Sequence, residues 1–171
     1  MTIHFGDGTT LDSAPATVSS AFSSYAILQH RVSAGSHGGS ADTSWTTRTL
    51  NHEEADPDGI VSLSSNEFTL GAGNYLIRFG GSGWDLDYDM QCRIYDVTNS
   101  AMRIESSPGT GPGAHDGNGW AYGVGRVTPS GSTAYRLEQR SDNDRGTWGH
   151  GEAINRGTYE IFAIVEIFKE G

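Results

Sequence analysis

Three short acidic stretches hold the side chains best suited to chemistry. WDLDYDM places Asp85, Asp87 and Asp89 at alternate positions. Carboxylates at that spacing suit a hard cation, and the run opens like an EF-hand loop. The pattern then fails, because the sixth position is Met90 rather than Gly and the twelfth is Asp96 rather than Glu. On a strand the three acids would line one solvated face instead. Asp85, Asp87 and Asp89 are therefore the calcium candidates of the chain, and no other metal or cofactor is expected. HEEADPD gathers His52, Glu53, Glu54, Asp56 and Asp58. A turn with solvated acids accounts for it, since His52 and Glu54 would need ligands from elsewhere to hold a metal. In SDNDRG, Asp142, Asn143 and Asp144 are ordinary loop formers.

Catalytic patterns are missing. The six histidines form no H-x-x-x-H pair, which argues against a zinc site. GGSGW is not the G-x-S-x-G of a nucleophile elbow. Paired carboxylates suited to glycoside hydrolysis occur by chance in any acidic chain. The chain is expected not to be an enzyme. Aromatic side chains are more informative: Trp84, Trp120, Tyr122 and Trp148 sit beside Gly-rich turns. Flat rings next to polar groups can stack on sugars or anchor a partner, and can equally cap a fold or fill a subunit contact. The candidate receptor or glycan residues are Trp120, Tyr122, Asn143, Arg145, Trp148 and His150, with Asp116 as a further hydrogen-bonding group, on the long loops 106–119 and 141–157.

Charge and composition narrow the partners. Asp and Glu number 21 against 11 Lys and Arg, for a net charge of -10. Phosphate backbones would be repelled, and the arginines are scattered rather than gathered into a basic patch. Nucleic acid is thus not an expected partner. No run approaches the roughly 20 apolar residues of a membrane helix, so membrane insertion is not expected. The opening MTIHFGDGTT lacks the basic and apolar regions of a signal peptide. The single cysteine, Cys92, excludes an intrachain disulfide and reads as a small buried apolar side chain in an alternating run. One unpaired cysteine suits assembly in a reducing cytoplasm.

The elements that must position these residues are strands. No useful window carries apolar residues at helical spacing, whereas short alternating runs broken by Gly, Asp, Asn and Ser recur. Strands are expected at 25–32, 45–50, 60–63, 67–70, 74–79, 88–97, 101–105, 120–128, 133–140 and 157–169. About ten short strands without helices predict an all-β jelly-roll sandwich, its inner positions including Tyr75, Ile77 and Phe79. Residues 24–171 form this head. Residues 1–23, small and polar, cannot bury enough surface to fold alone and are read as an extended N-terminal arm, an anchor with Ile3, Phe5 and Leu11 as its apolar contacts.

The last strand poses a problem. In YEIFAIVEIF the alternation puts Tyr159, Ile161, Ala163, Val165 and Ile167 on one face and Glu160, Phe162, Ile164, Glu166 and Phe168 on the other. Both faces are largely apolar, whereas a sheet covered on one side should alternate cleanly. Something covers the second face: a long loop would do so, and so would another copy of the chain. Phe162, Ile164 and Phe168, with Tyr25 of the first strand, are the expected subunit contacts.

Several runs carry a resemblance. SYAILQHRVSAGSHGGSADTSWTTRTLN, DPDGIVSLSSNEFTLGAGNYLIRF, CRIYDVTNSAM and the closing YEIFAIVEIFK together resemble small head domains on virion proteins of tailed phages. These are similar to the trimeric jelly roll of the complement and tumour-necrosis-factor superfamily. FGDGTT is similar to the start of many marine phage structural proteins. The resemblance spans about residues 24 to 169, through the order and spacing of the runs rather than one specific motif. It implies a homotrimer with the C-terminal strand near the three-fold axis. It also implies a place on the virion surface after assembly in the host cytoplasm, with the capsid shell or tail as partner. With no heptad or collagen-like shaft in the chain, a capsid decoration knob is expected ahead of the alternative, a tail fibre or spike tip that binds a host receptor or glycan.

Overall fold

The computed structural model describes residues 3–4, 6–8, 10–11, 21–84, 89–110 and 118–171. Among them every regular element is a strand. No helix long and apolar enough to cross a membrane is found among these residues. In chain order the strands are β1 (Ile3–His4), β2 (Thr10–Leu11), β3 (Phe22–Ser33), β4 (Thr46–Thr47), β5 (His52–Ala55), β6 (Val61–Ser64) and β7 (Glu67–Leu70). Then follow β8 (Tyr75–Trp84), β9 (Asp89–Asp96), β10 (Ala101–Glu105), β11 (Gly109–Thr110), β12 (Asn118–Val127), β13 (Thr133–Ser141) and β14 (Tyr159–Glu170).

Two antiparallel sheets make the sandwich. One has five strands in the order β12-β8-β14-β3-β5. The other follows β10-β9-β13-β7-β6, with β11 beside β9 and β4 beside β13. The first long strand thus pairs with the last, and the chain crosses between sheets rather than meandering. This is the expected all-β jelly roll. Near the N-terminus β1 and β2 pair with each other, Ile3 opposite Leu11, and with no other strand among the described residues. Phe5, the third anchor residue expected there, lies outside the described residues.

Alternation explains the core. From the five-stranded sheet, Ala26, Leu28, Tyr75, Ile77, Phe79, Ala163, Val165 and Ile167 point inward and are buried; from the other sheet Phe68, Leu70, Met90, Cys92, Ile94, Tyr135 and Leu137 meet them. Each fully buried aliphatic or aromatic side chain contributes about 2 kcal/mol. Cys92 is buried, and burial pushes its thiol up to about 11, against the pull of Arg48 and a backbone hydrogen bond from Gly81. A thiol so placed stays protonated and unreactive. Gly123 of β12 lies against the Phe79 ring, so that any Cβ there would overlap it. Gly123→Ala is expected to cost about 1–3 kcal/mol by overpacking, whereas Gly71→Ala, in open space, should leave the melting temperature near that of the parent.

Four expectations are corrected. The strand expected over 45–50 is shorter. Thr46 and Thr47 pair with β13, and the Arg48 N–H still donates to Leu137 O at 2.8 Å. The chain then crosses to the other sheet, where the Asn51 N–H donates to Gln29 O of β3 at 3.0 Å. HEEADPD is not a turn throughout: His52–Ala55 is the edge strand β5 paired with β3. The turn begins at Asp56, whose carboxylate accepts from the backbone N–H groups of Ile60 and Val61 at 2.9 Å. The loop expected over 106–119 contains the pairing of Gly109 and Thr110 with β9. Finally, β14 has a bulge between Ile161 and Ala163, which resets its alternation. Glu160 and Phe162 consequently face inward, and Phe162 is 3% exposed. Phe162 therefore does not join Ile164 and Phe168 on the outer face.

Candidate functional site

The outer face of the five-stranded sheet is built by register. Residues directly opposite on paired strands share a face. One row across the sheet reads Tyr122, Gly80, Ile164, Gln29 and His52. The next reads Val124, Arg78, Glu166, Ile27 and Ala55, and a third Arg126, Leu76, Phe168 and Tyr25. Tyr122 and Val124 are 63% and 62% exposed, and Tyr25 is 43% exposed. The Phe22 and Phe168 rings meet at 5.3 Å. Trp120 and Tyr122 stack at 5.7 Å with an interplanar angle of 16°. Between β12 and β14 lies a hollow of about 380 Å³, lined by Trp120, Tyr122, Val124, Ile164 and the Arg78–Glu166 ion pair. Gly80 forms its floor, where a Cβ would touch the Tyr122 ring. The side-chain amide oxygen of Gln29 is buried on this face without a hydrogen-bond partner.

At the end of the sandwich where β8 finishes, a second group of rings stands on loops. Trp148 meets Trp84 edge to face at 5.5 Å and His37 at 5.7 Å. Trp84 is buried, while Trp148 is 47% exposed. The loop carrying Trp148 is held by backbone hydrogen bonds: Gly38 N–H to Gly151 O at 2.8 Å, His150 N–H to Gly39 O at 2.8 Å and Gly39 N–H to Thr147 O at 3.0 Å. Gly151 adopts a φ of +134° with the Phe162 ring packed against it, a backbone position that only glycine occupies easily.

Beneath these loops lies a buried cationic cluster. Arg48 is fully buried. Its guanidinium donates to the carbonyl of Ser82 at 3.0 Å, to the side-chain oxygen of Gln139 at 3.1 Å, to the carbonyl of His150 at 3.4 Å and to the carbonyl of Phe162. Arg48 thus ties the β14 bulge to β8, β13 and the 142–157 loop. Burial lowers Arg48 to about 10. Two buried histidines are near: burial, then the Arg48 charge, pushes His30 down to about 4. Burial, then Arg48 and His30, takes His150 down to about 2. Both rings are therefore neutral at pH 7. Nε of Arg48, Nδ1 of His30 and Nε2 of His150 have no hydrogen-bond partner.

The sequence candidates thus divide among three places. Trp120 and Tyr122 belong to the sheet face, and Trp148 to the sandwich end. His150, expected to offer a hydrogen bond to a ligand, is instead 6% exposed in the cationic cluster. Arg145 bridges through its backbone to Ala41, and Asn143 accepts at its backbone carbonyl from the Ser141 hydroxyl at 2.8 Å. Asp116, Asp85 and Asp87 lie outside the described residues. Asp89 is an exposed strand residue paired with Thr110, and no group of three metal-ligating side chains occurs among the described residues. His52 and Glu54 do meet, at 3.1 Å, but Glu54 is also paired with Arg31 at 2.9 Å, an exposed charge network on the sheet edge. Sequence reading missed Arg48, because an arginine in an alternating run resembles any solvated strand residue.

No protein-family model matches the chain, and no curated protein sequence matches it. Solved structures do. Murine APRIL at pH 8.5 superposes with a TM-score of 0.54 at 11% identity, over 85% of this chain and 98% of that one. Eiger TNF from S. frugiperda gives 0.51 at 9% identity, over 86% and 92%. These likenesses show the fold: the chain is a TNF-like jelly roll. PRD1 vertex protein P5 gives 0.47 at 14% identity, over 89% and 100%.

Proposed function

We propose that the chain is a structural protein of a phage virion surface, a homotrimeric knob that decorates and stabilises the capsid. The role is assembly rather than catalysis. The observation that carries the self-association is the outer face of the five-stranded sheet, with Ile164, Phe168, Tyr25, Ile27, Tyr122 and Val124 on one side of one layer. Apolar faces of this extent are covered in stable soluble proteins. A three-fold ring is built from two different patches on each chain that fit each other. The hollow beside Trp120 and Tyr122 offers one, and the aromatic group of Phe22, Tyr25 and Phe168 offers the other. The virion part of the reading is supported by the sequence resemblance to phage head domains.

Two measurements test it. Light scattering on the purified protein is expected to give the mass of three chains. Ile164→Asp, which puts a charge in the middle of the face, should yield monomers or insoluble protein; an intact trimer in that variant overturns the placement. Gold-labelled antibody on intact particles should decorate the whole shell. Label confined to the tail end would replace capsid decoration by receptor binding at a tail tip, and unlabelled particles would overturn the virion reading.

A further inference from the structure

We propose that Trp148 is a stacking platform for a hexopyranose ring of a surface glycan, with Trp84 as its backing and His37 as its flanking hydrogen-bond donor. The inference depends neither on the subunit count nor on where the protein sits on a particle.

The indole of Trp148 is half-exposed, yet it is held on a rigid base. Trp84 supports it from below in an edge-to-face contact, which fixes a ring orientation better than apolar contact alone. The backbone on either side is clamped, Gly39 N–H to Thr147 O and Gly151 N–H to Trp148 O at 2.7 Å, with Trp84 N–H donating to Gly149 O at 3.3 Å. A flat ring positioned in advance loses little conformational entropy on binding. His37 adds chemistry. Its Nδ1 accepts from the Ala153 backbone N–H at 3.2 Å, so a neutral ring carries its proton on Nε2, as a donor. Imidazole and indole are set edge to face, 5.7 Å apart at 67°.

A sugar fits this arrangement better than a protein partner does. A pyranose presents a patch of C–H groups on one face and hydroxyls at its rim. It therefore takes one exposed ring below and polar donors beside it. A protein interface needs a contiguous buried area many times larger. Among the described residues Trp148 is preceded by Gly146 and Thr147 and followed by Gly149 and Gly151. Asn118 and Glu152 are joined by reciprocal hydrogen bonds at 2.9 and 3.1 Å, and Ile154 is the one other exposed large apolar side chain of this loop. Position agrees as well. β3 enters the sheet at Phe22, beside the end of β14 at Glu170. Trp84 ends the ten-residue strand β8, which starts at Tyr75 at the Glu170 end. At about 3.3 Å per residue the platform stands roughly 30 Å from where the N-terminal arm joins the head. A protein anchored by that arm would display Trp148 at its far end.

The test uses the assembled, full-length protein labelled with 5-fluorotryptophan, whose four tryptophans give separate fluorine signals. The Trp148 signal is assigned by its loss in Trp148→Phe. The probes are the methyl glycosides of galactose, glucose, mannose and N-acetylglucosamine, each to about 100 mM, the range in which one stacked ring binds. The expected result is a saturable shift of the Trp148 signal with at least one glycoside, while Trp120 and Trp45 stay in place. Trp148→Ala, read from the glycoside's own proton signals because the fluorine reporter is lost, should weaken that binding about tenfold or more. Should the variant fold poorly, the shift in the parent protein decides by itself. A Trp148 signal unmoved by all four glycosides overturns the proposal, and so does a shift confined to Trp120.

Discussion

Replacing Arg48 by alanine is expected to lower the free energy of unfolding by about 3–5 kcal/mol, from the loss of several charge-assisted hydrogen bonds together with a large buried side chain. The cause is what stays behind. The carbonyls of Ser82, His150 and Phe162 and the side chain of Gln139 all accept from this one guanidinium. Without it, four buried acceptors lose their charged donor and keep only neutral ones: Ser82 Oγ at the His150 and Phe162 carbonyls, Gln139 Nε2 at the Ser82 carbonyl and Cys92 Sγ at Gln139 Oε1. A hydrogen bond to a charged group is worth about 1.5–3 kcal/mol. The side chain also spans the sandwich, so its loss frees the β14 bulge and the loop behind Trp148 together. Arg48→Lys should recover only part of the loss, since a point-like ammonium cannot serve acceptors arranged around a planar fork. Urea unfolding of the three proteins at pH 7 checks this. An alanine variant as stable as the parent would mean that the guanidinium does not hold these elements together.

Acid should unfold the protein well above the pH at which carboxylates alone would do so. His30 is held down to about 4 and His150 to about 2, against about 6.5 in an unfolded chain. The unfolded state therefore binds more protons throughout that interval, and stability falls as pH falls. It is complete above about pH 6.5, declines from there towards pH 4 through His30 and His150 together, and declines further towards pH 2 through His150 alone. The His30 shift alone corresponds to about 3 kcal/mol. The physical reason is that both rings are buried beside Arg48, so either imidazolium would be a second cation in one dry site. Melting temperatures between pH 7.5 and 4.5 provide the measurement. His30→Leu should roughly halve the slope over that range, and His150→Leu likewise, because each removes one of the two groups that the unfolded state protonates there. A slope identical to the parent in both His30→Leu and His150→Leu would assign the acid response to other groups.

The two predictions concern the least legible part of the chain. What the sequence determined by itself is whatever depends on period two and on local turn chemistry. The alternation of Tyr75, Ile77 and Phe79 sets an inner face in any sheet that contains them, and those three are buried. Glu67–Leu70 and Ala101–Glu105 begin and end where expected, because polar turns bound them on both sides. The absence of helical periodicity settled the class, and the apolar outer positions Ile164 and Phe168 could be read directly from YEIFAIVEIF.

Only the tertiary structure decided the rest. Phe162 obeys the same alternation as Ile164 on paper, yet a bulge of a single residue, set by pairing with β3 more than a hundred residues earlier in the chain, turns it inward. Arg48 sits in a run that reads as a strand, and its charge argues for solvent. It is buried because acceptors from β8, β13, β14 and the 142–157 loop converge on it, and no local pattern records a convergence of four distant segments. His150 is buried through the same convergence. Trp120 and Trp148 look alike beside their glycines, yet pairing places one on the outer face of the five-stranded sheet and the loop clamp holds the other at the end of the sandwich where β8 finishes. Local residue order carries the strand period and the turns. Long-range register decides which side chain meets which partner, and the candidate sites depend on that register.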